Sequence, residues 1–312
     1  MRCTQIILFA LVVTQVACGD SSTASPDAAP QSADASTTDA APPPTEFGGD
    51  RPVTLQIPSS YSAATPTPLV VALHGFFKSP DYITLLMGIA DWYEKNGFLF
   101  IQPSGLSDSD GNYYWNATEA CCDHYDTGSD DVAYLAGLIT DISAHYNVDA
   151  KRVYLIGHSN GGFMAYQMAC EHADKIAAVI SFAGAGAVMP SDCTPSEPVS
   201  IAQLHGVNDQ TILYEGGVVI QSGTGLGVAY PSAATTVANW AAANGCDSKA
   251  GASGNIDLTS APDSETVVTT HANCPQGIET SLWTMPGTGH IVGFGDQGRA
   301  KFWSWFQAHA KQ

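Results

Sequence analysis

Ser159, Asp209 and His290 are the side chains whose types and chain order could carry out nucleophilic acyl transfer. A serine hydroxyl is a weak nucleophile at neutral pH. It needs an imidazole to take its proton, and the imidazole needs a carboxylate to orient it. Ser159 lies in Gly157-His158-Ser159-Asn160-Gly161, after the run Val153-Tyr154-Leu155-Ile156 and before apolar residues at Phe163, Met164, Met168 and Ala169. A G-x-S-x-G between a strand and a helix predicts a sharp elbow that presents the hydroxyl above a sheet edge. The turn demands small neighbours, and Gly162 extends the room for close helix–sheet packing.

Where this elbow occurs, the nucleophile is followed along the chain by the acid and then the base. The later histidines are His172, His205, His271, His290 and His309. His290 follows the strand-like Ser281-Leu282-Trp283-Thr284-Met285 through Gly287-Thr288-Gly289 and precedes an amphipathic helix near 298–310. Open α/β sheets place their sites at such strand ends. His172 reads as a surface residue, His271 as part of a polar surface loop, and His309 as part of a frayed terminal turn. His205 precedes Gly206 and shapes its own turn. Asp209 follows the strand Val199–Leu204 through a short turn, whereas Asp192, Asp247 and Asp257 read as loop residues with no comparable strand before them.

An oxyanion formed during acyl transfer needs backbone donors, each contributing roughly 3 kcal/mol. The N–H of Asn160 is the first candidate. The second is the N–H of Phe76, after the buried-strand run Leu69-Val70-Val71-Ala72-Leu73 and the turn His74-Gly75. Trp115, His158 and Tyr214 are the candidates for lining a substrate cleft, with the Gly216-Gly217 pair beside Tyr214. For Trp115 the competing reading is an anchor that ties its loop to the core.

The elements that must position these residues alternate strand and helix. Strands are expected at 69–73, 98–101, 153–156, 177–182, 199–204 and 281–285. Helices are expected at 82–95, after Ser129 (as cap, with Asp130 and Asp131 in the first turn), after the elbow, and at the C-terminus. This order predicts an α/β fold with a doubly wound, mainly parallel sheet and no large lid. The long polar stretch 103–128 is expected to border the cleft.

The chain has 312 residues. Residues 1–18 read as an export signal, with Arg2, an apolar core at Ile6–Val13, and Cys18 as a lipidation candidate. Residues 19–46 are rich in Ala, Ser, Thr, Asp and Pro and read as a disordered tether, leaving 47–312 as the folded domain. The expected location is therefore extracellular or at the cell surface, with membrane contact only through that anchor. A formal net charge of -19 argues against a nucleic-acid partner. Cys121, Cys122, Cys170, Cys193, Cys246 and Cys274 make an even set in an exported chain, so three disulfides are expected among fifteen possible pairings. Cys121 and Cys122 could bridge each other or pair elsewhere. No C-x-x-C pair points to zinc.

Taken together, several motifs resemble one family. They are Leu73-His74-Gly75, Trp115-Asn116-Ala117 with Cys121-Cys122, Asp130-Asp131-Val132, Gly157–Gly162 with Cys170, His205-Gly206 with Asp209, Trp240 with Asn244-Gly245-Cys246, and Gly289-His290. The chain is similar to the secreted polyhydroxybutyrate depolymerase-like and feruloyl esterase-like α/β-hydrolases, over about residues 52–310. The resemblance implies a cofactor- and metal-free serine esterase, with Ser159, Asp209 and His290 in their assigned roles. It also implies Cys246–Cys274 and Cys170–Cys193 bridges. Many relatives carry Cys or Gly after His-Gly, where this chain has Phe76-Phe77. The expected substrate is a polymer-linked ester, feruloyl or acetyl on polysaccharide ahead of hydroxyalkanoate polyester, acted on by a monomer. The alternatives are acyl transfer with the same triad, or a non-catalytic glycan-binding lipoprotein.

Overall fold

In β1 (Thr67–Leu73), Leu69, Val71 and Leu73 enter one apolar cluster while Val70 and Ala72 enter another. Strand side chains alternate, so a strand apolar on both faces must be covered on both. β2 (Leu99–Ile101) pairs with it, and β3 (Val148–His158) repeats the split: Val153 and Leu155 on one side, Tyr154 and Ile156 on the other. The computed structural model describes residues 41–76, 79–123, 127–220, 225–259 and 265–312. The expected signal segment, Cys18 and most of the expected tether lie outside the described residues.

The remaining strands of the main sheet are β4 (Ala178–Phe182), β5 (Ser200–Gly206), β6 (Ala250–Ile256), β7 (Thr266–His271) and β8 (Thr280–Met285). Their spatial order is β6-β7-β8-β5-β4-β3-β1-β2. From β8 to β2 all neighbours are parallel, and β6 and β7 add an antiparallel edge. The helices are α1 (Pro80–Met87), α2 (Trp92–Asn96), α3 (Asp131–His145), α4 (Asn160–Glu171), α5 (Ala233–Ala243) and α6 (Asp296–Ala308). α3, α4 and α5 supply Ile139, Phe163 and Trp240 to one core, and α1, α2 and α6 supply Ile83, Trp92 and Phe306 to the other. The sheet is therefore doubly wound.

Several expectations change. The helix expected at 82–95 is two helices, because Gly88 takes a left-handed conformation (φ 64°) and caps α1 through Leu85 and Thr84 carbonyls. The cap of α3 is Asp130, not Ser129: its carboxylate accepts the Ala133 N–H at 2.8 Å. Asp131 is buried and ion-paired with Arg51. The folded unit begins at Pro43, ahead of the expected boundary at residue 47. Glu46–Phe47 pairs with Val53–Thr54, and Phe47 packs edge-on against Tyr146. Composition hid this because the segment is tied down by distant groups, the Tyr146 hydroxyl donating to the Pro44 carbonyl at 3.1 Å and the Leu55 N–H to the Thr45 carbonyl at 2.7 Å.

β6 and β7 were not legible as strands. β6 reads AGASGNI and is almost wholly exposed, so it carries no apolar alternation. As a result His271 is not in a surface loop. It ends β7, is buried, and its Nδ1 lies 2.7 Å from the Asp247 carbonyl. Asp257 does follow a strand, but that strand is the sheet edge far from Ser159 in the strand order. His309 is likewise not frayed: its ring is bonded to the Trp305 carbonyl and lies 3.5 Å from Glu279. The stretch 103–128 contains a small ribbon, Leu106–Ser107 against Tyr113–Tyr114. Gly217 opens a second ribbon, Gly217–Ile220 against Gly227–Tyr230.

Candidate active site

β3 runs straight into the elbow, and Ser159 stands at its apex with φ 54° and ψ -122°. A left-handed conformation is costly for a non-glycine residue and persists only where its surroundings hold it. Here the Ser159 N–H donates to the Phe182 carbonyl at 2.8 Å, and the Ser159 carbonyl accepts the Gly162 and Phe163 N–H groups that begin α4. The glycines follow from close approach. A Cβ on Gly157 would lie 2.1 Å from the Gly161 carbonyl oxygen, and one on Gly161 would lie 2.1 Å from the Leu73 carbonyl oxygen.

β5 and β8 are parallel neighbours whose register sets Gly206 against Met285. The loops that leave them are pressed together. The Asn208 N–H donates to the Thr288 carbonyl at 2.9 Å, and a Cβ on Gly206 would meet the Gly289 carbonyl oxygen at 2.5 Å. This brings Asp209 and His290 side by side although 81 residues separate them. His290 Nδ1 lies 2.7 Å from Asp209 Oδ2, and His290 Nε2 lies 3.0 Å from Ser159 Oγ.

Asp209 is buried, and its Oδ1 accepts N–H bonds from Thr211 (2.8 Å) and Ile212 (2.9 Å). Burial alone would raise its pKa. Hydrogen bonds from His205 and His290, with the Thr211 amide, outweigh burial and hold it well below the usual carboxylate range. An ionised Asp209 can accept the Nδ1–H of His290, leaving Nε2 free to take the serine proton.

The other expected site residues fall into different places. Gly75 abuts the elbow: a Cβ there would lie 3.2 Å from Ser159 Cβ, so the Gly75–Phe76 peptide is beside the hydroxyl. Asn160 is buried at the start of α4. Its Oδ1 accepts the Trp115 N–H at 2.7 Å, and its Nδ2 donates to the Trp115 carbonyl at 2.9 Å. Trp115 is wholly buried, so it cannot stack on a substrate; it is the loop anchor instead. His158 is also buried, with Nε2 2.9 Å from the His290 carbonyl oxygen, which puts it behind the site rather than in a cleft. Tyr214 is half-buried in the segment that follows Asp209. Its hydroxyl is bonded to Thr284 Oγ1 at 2.8 Å, and its ring stands edge-on to His205.

Cys170 is bridged to Cys193, Cys246 to Cys274, and Cys121 to Cys122 across a cis peptide. Sequence reasoning missed the rings of His74 and His205 and the hydroxyl of Tyr230, which accepts the Leu213 N–H at 2.8 Å in the acid loop. The His74-Gly75 and His205-Gly206 dipeptides carried a signal for their turns, and Tyr230 carried none. A polar hollow of about 600 Å³ opens between the 116–123 loop, Gln167 of α4 and the 186–192 loop, and neither Ser159 nor His290 lines it.

A doubly wound sheet with a serine elbow at the end of a central strand defines the α/β-hydrolase fold. Residues 45–212 match the family model described as "Putative esterase", and the chain belongs to this Esterase family. It is 28% identical over 255 residues to Feruloyl esterase B of Piromyces equi, across 80% of this chain and 44% of that protein. It is 29% identical over 170 residues to a bifunctional acetylxylan esterase/xylanase of Neocallimastix patriciarum, across 54% of this chain and 23% of that protein. The chain thus spans less than half the length of these two relatives. Among solved structures, an acetyl xylan esterase from Aspergillus awamori aligns with a TM-score of 0.59 at 18% identity, over 82% of this chain and 94% of that one. At that identity the likeness concerns the fold.

Proposed function

We propose that the protein is an exported serine esterase acting on polysaccharide-linked carboxylic esters through an acyl-enzyme. The observation that carries this is the unbroken hydrogen-bonded chain from Ser159 through His290 to Asp209. His290 Nε2 takes the Ser159 proton as Oγ attacks the ester carbonyl carbon. The carbonyl π pair moves to oxygen, which the N–H groups of Asn160 and Phe76 stabilise. Collapse of the tetrahedral adduct breaks the ester C–O bond, and His290 returns the proton to the leaving alcohol. Water then attacks the acyl-enzyme, giving its proton to the same imidazole, and the carboxylic acid departs as the proton returns to Ser159.

The carbohydrate side of the reading is supported by the names of the relatives, which are esterases of feruloyl and acetylxylan groups. The disulfides agree with an oxidising compartment, in line with an export signal at 1–18, Cys18 as the lipid anchor and a tether from 19. The test is a fluorophosphonate probe on the purified protein, with turnover of methyl ferulate, acetylated xylan, p-nitrophenyl esters and polyhydroxybutyrate. Labelling that vanishes in Ser159→Ala, with turnover of the carbohydrate-linked esters, is expected. An unlabelled wild-type protein would overturn the reading.

A further inference from the structure

The two proposed oxyanion donors belong to distant segments, and a single chain of contacts joins them. The Asn160 side chain grips both backbone groups of Trp115. The Trp115 indole N–H donates to the His74 carbonyl at 3.1 Å, and the two rings lie 4.9 Å apart. His74 is wholly buried, and both of its ring nitrogens are engaged. The Gly105 N–H donates to Nε2 at 2.9 Å, so Nε2 is an acceptor and the proton sits on Nδ1. Nδ1–H then donates to the Gly75 carbonyl at 3.0 Å.

That last bond acts on the peptide that matters. In a trans peptide the C=O and N–H point to opposite edges of one plane. Holding the Gly75 carbonyl toward the His74 ring therefore aims the Phe76 N–H away from it. The anchor beneath is rigid as well. Gly105 has no room for a side chain, since a Cβ there would lie 1.9 Å from the Tyr114 carbonyl oxygen. Burial lowers the His74 pKa to about 4 against the opposing pull of the Gly75 carbonyl, so the acceptor at Nε2 persists at neutral pH.

We propose that His74, backed by Trp115, is a positioning residue that sets the Gly75–Phe76 peptide as the second oxyanion donor and couples it to Asn160. The proposal rests on the esterase reading above. It differs from a packing role because the effect falls on the charged tetrahedral state and not on the bound ester.

The test compares His74→Leu, His74→Asn and Trp115→Phe with wild type on p-nitrophenyl acetate, with inhibition by an alkyl trifluoromethyl ketone, whose serine adduct carries an oxyanion. A misplaced donor costs about 10²-fold, so His74→Leu should lower kcat by that much with KM little changed, and should weaken the ketone by a similar factor. His74→Asn, whose amide N–H can replace Nδ1–H, should recover most of the loss. Trp115→Phe keeps an aromatic ring, though a smaller one, but not the indole N–H and should lower kcat about tenfold. If His74→Leu does not fold, Trp115→Phe decides. Wild-type kcat in the folded variants, losses confined to KM, or an Asn variant as slow as Leu would overturn the proposal. A wild-type protein inert to both ester and ketone would instead overturn the esterase reading.

Discussion

His158 holds His290 from behind: its Nε2 lies 2.9 Å from the His290 carbonyl oxygen, and the two rings are 4.8 Å apart. The residue one place before Ser159 thereby ties the His290 loop to the elbow. His158→Phe should retain the fold and lower kcat by about ten- to a hundredfold, because a base displaced by a fraction of an ångström transfers protons poorly. Stopped-flow turnover of a p-nitrophenyl ester measures this, and unchanged kcat would show that the loop holds without the bond.

Ser159→Ala should reduce ester turnover by roughly four to six orders of magnitude with the melting curve intact. Asp209→Asn should cost about 10⁴ in kcat, since an amide donor opposite Nδ1 favours the wrong imidazole tautomer. A loss of less than tenfold in either variant would contradict the assigned roles.

Stability should fall on acidification. Burial holds the folded His74 pKa at about 4, against 6.5 for the ordinary side chain. Between those values the unfolded chain takes up a proton that the folded one refuses, so stability is lost as pH falls from about 6.5 to about 4, by roughly 3 kcal/mol at most. Asp209 acts lower on the scale. Despite burial, its bonds from His205 and His290 depress the folded pKa, so its contribution is present above the unfolded carboxylate value and disappears as pH drops through the folded one. Wild-type Tm should decline steadily from pH 7 to pH 4, and His74→Asn should flatten the curve; equal slopes would contradict this account.

Removing the Cys246–Cys274 bridge, which spans 28 residues, should destabilise the fold by about 3–4 kcal/mol on loop-closure grounds. The bridge joins the end of α5 to the loop after β7, away from Ser159, so kcat should persist at temperatures where the double serine variant remains folded. Urea melts compared with wild type give the difference, and superimposable curves would refute a stabilising role.

Gly161→Ala tests the elbow itself. The added Cβ would meet backbone oxygen of Leu73 and His74, which cannot rotate away, so strand and helix must separate. A loss of about 1–3 kcal/mol in stability is expected, with a larger fractional loss of activity. Wild-type values of both would show that the helix can shift freely.

The elbow, the chain order of Ser159, Asp209 and His290, and the central strands are readable from the chain because each has a local signature. Glycines flank the serine, continuous apolar runs mark strands buried on both faces, and short turns follow strand ends. The same logic failed at β6, where AGASGNI is almost wholly exposed and shows no apolar alternation, and at Phe47, whose aromatic partner Tyr146 lies about a hundred residues away. Trp115, His158 and Tyr214 looked like cleft residues because aromatic and imidazole types suit substrates. Only packing showed that their polar atoms face inward, to His74, His290 and Thr284. Residue type and spacing thus determined which chemistry was on offer. Tertiary structure decided which nitrogen faces which oxygen, since hydrogen-bond geometry depends on strand register and loop contact that no local pattern encodes.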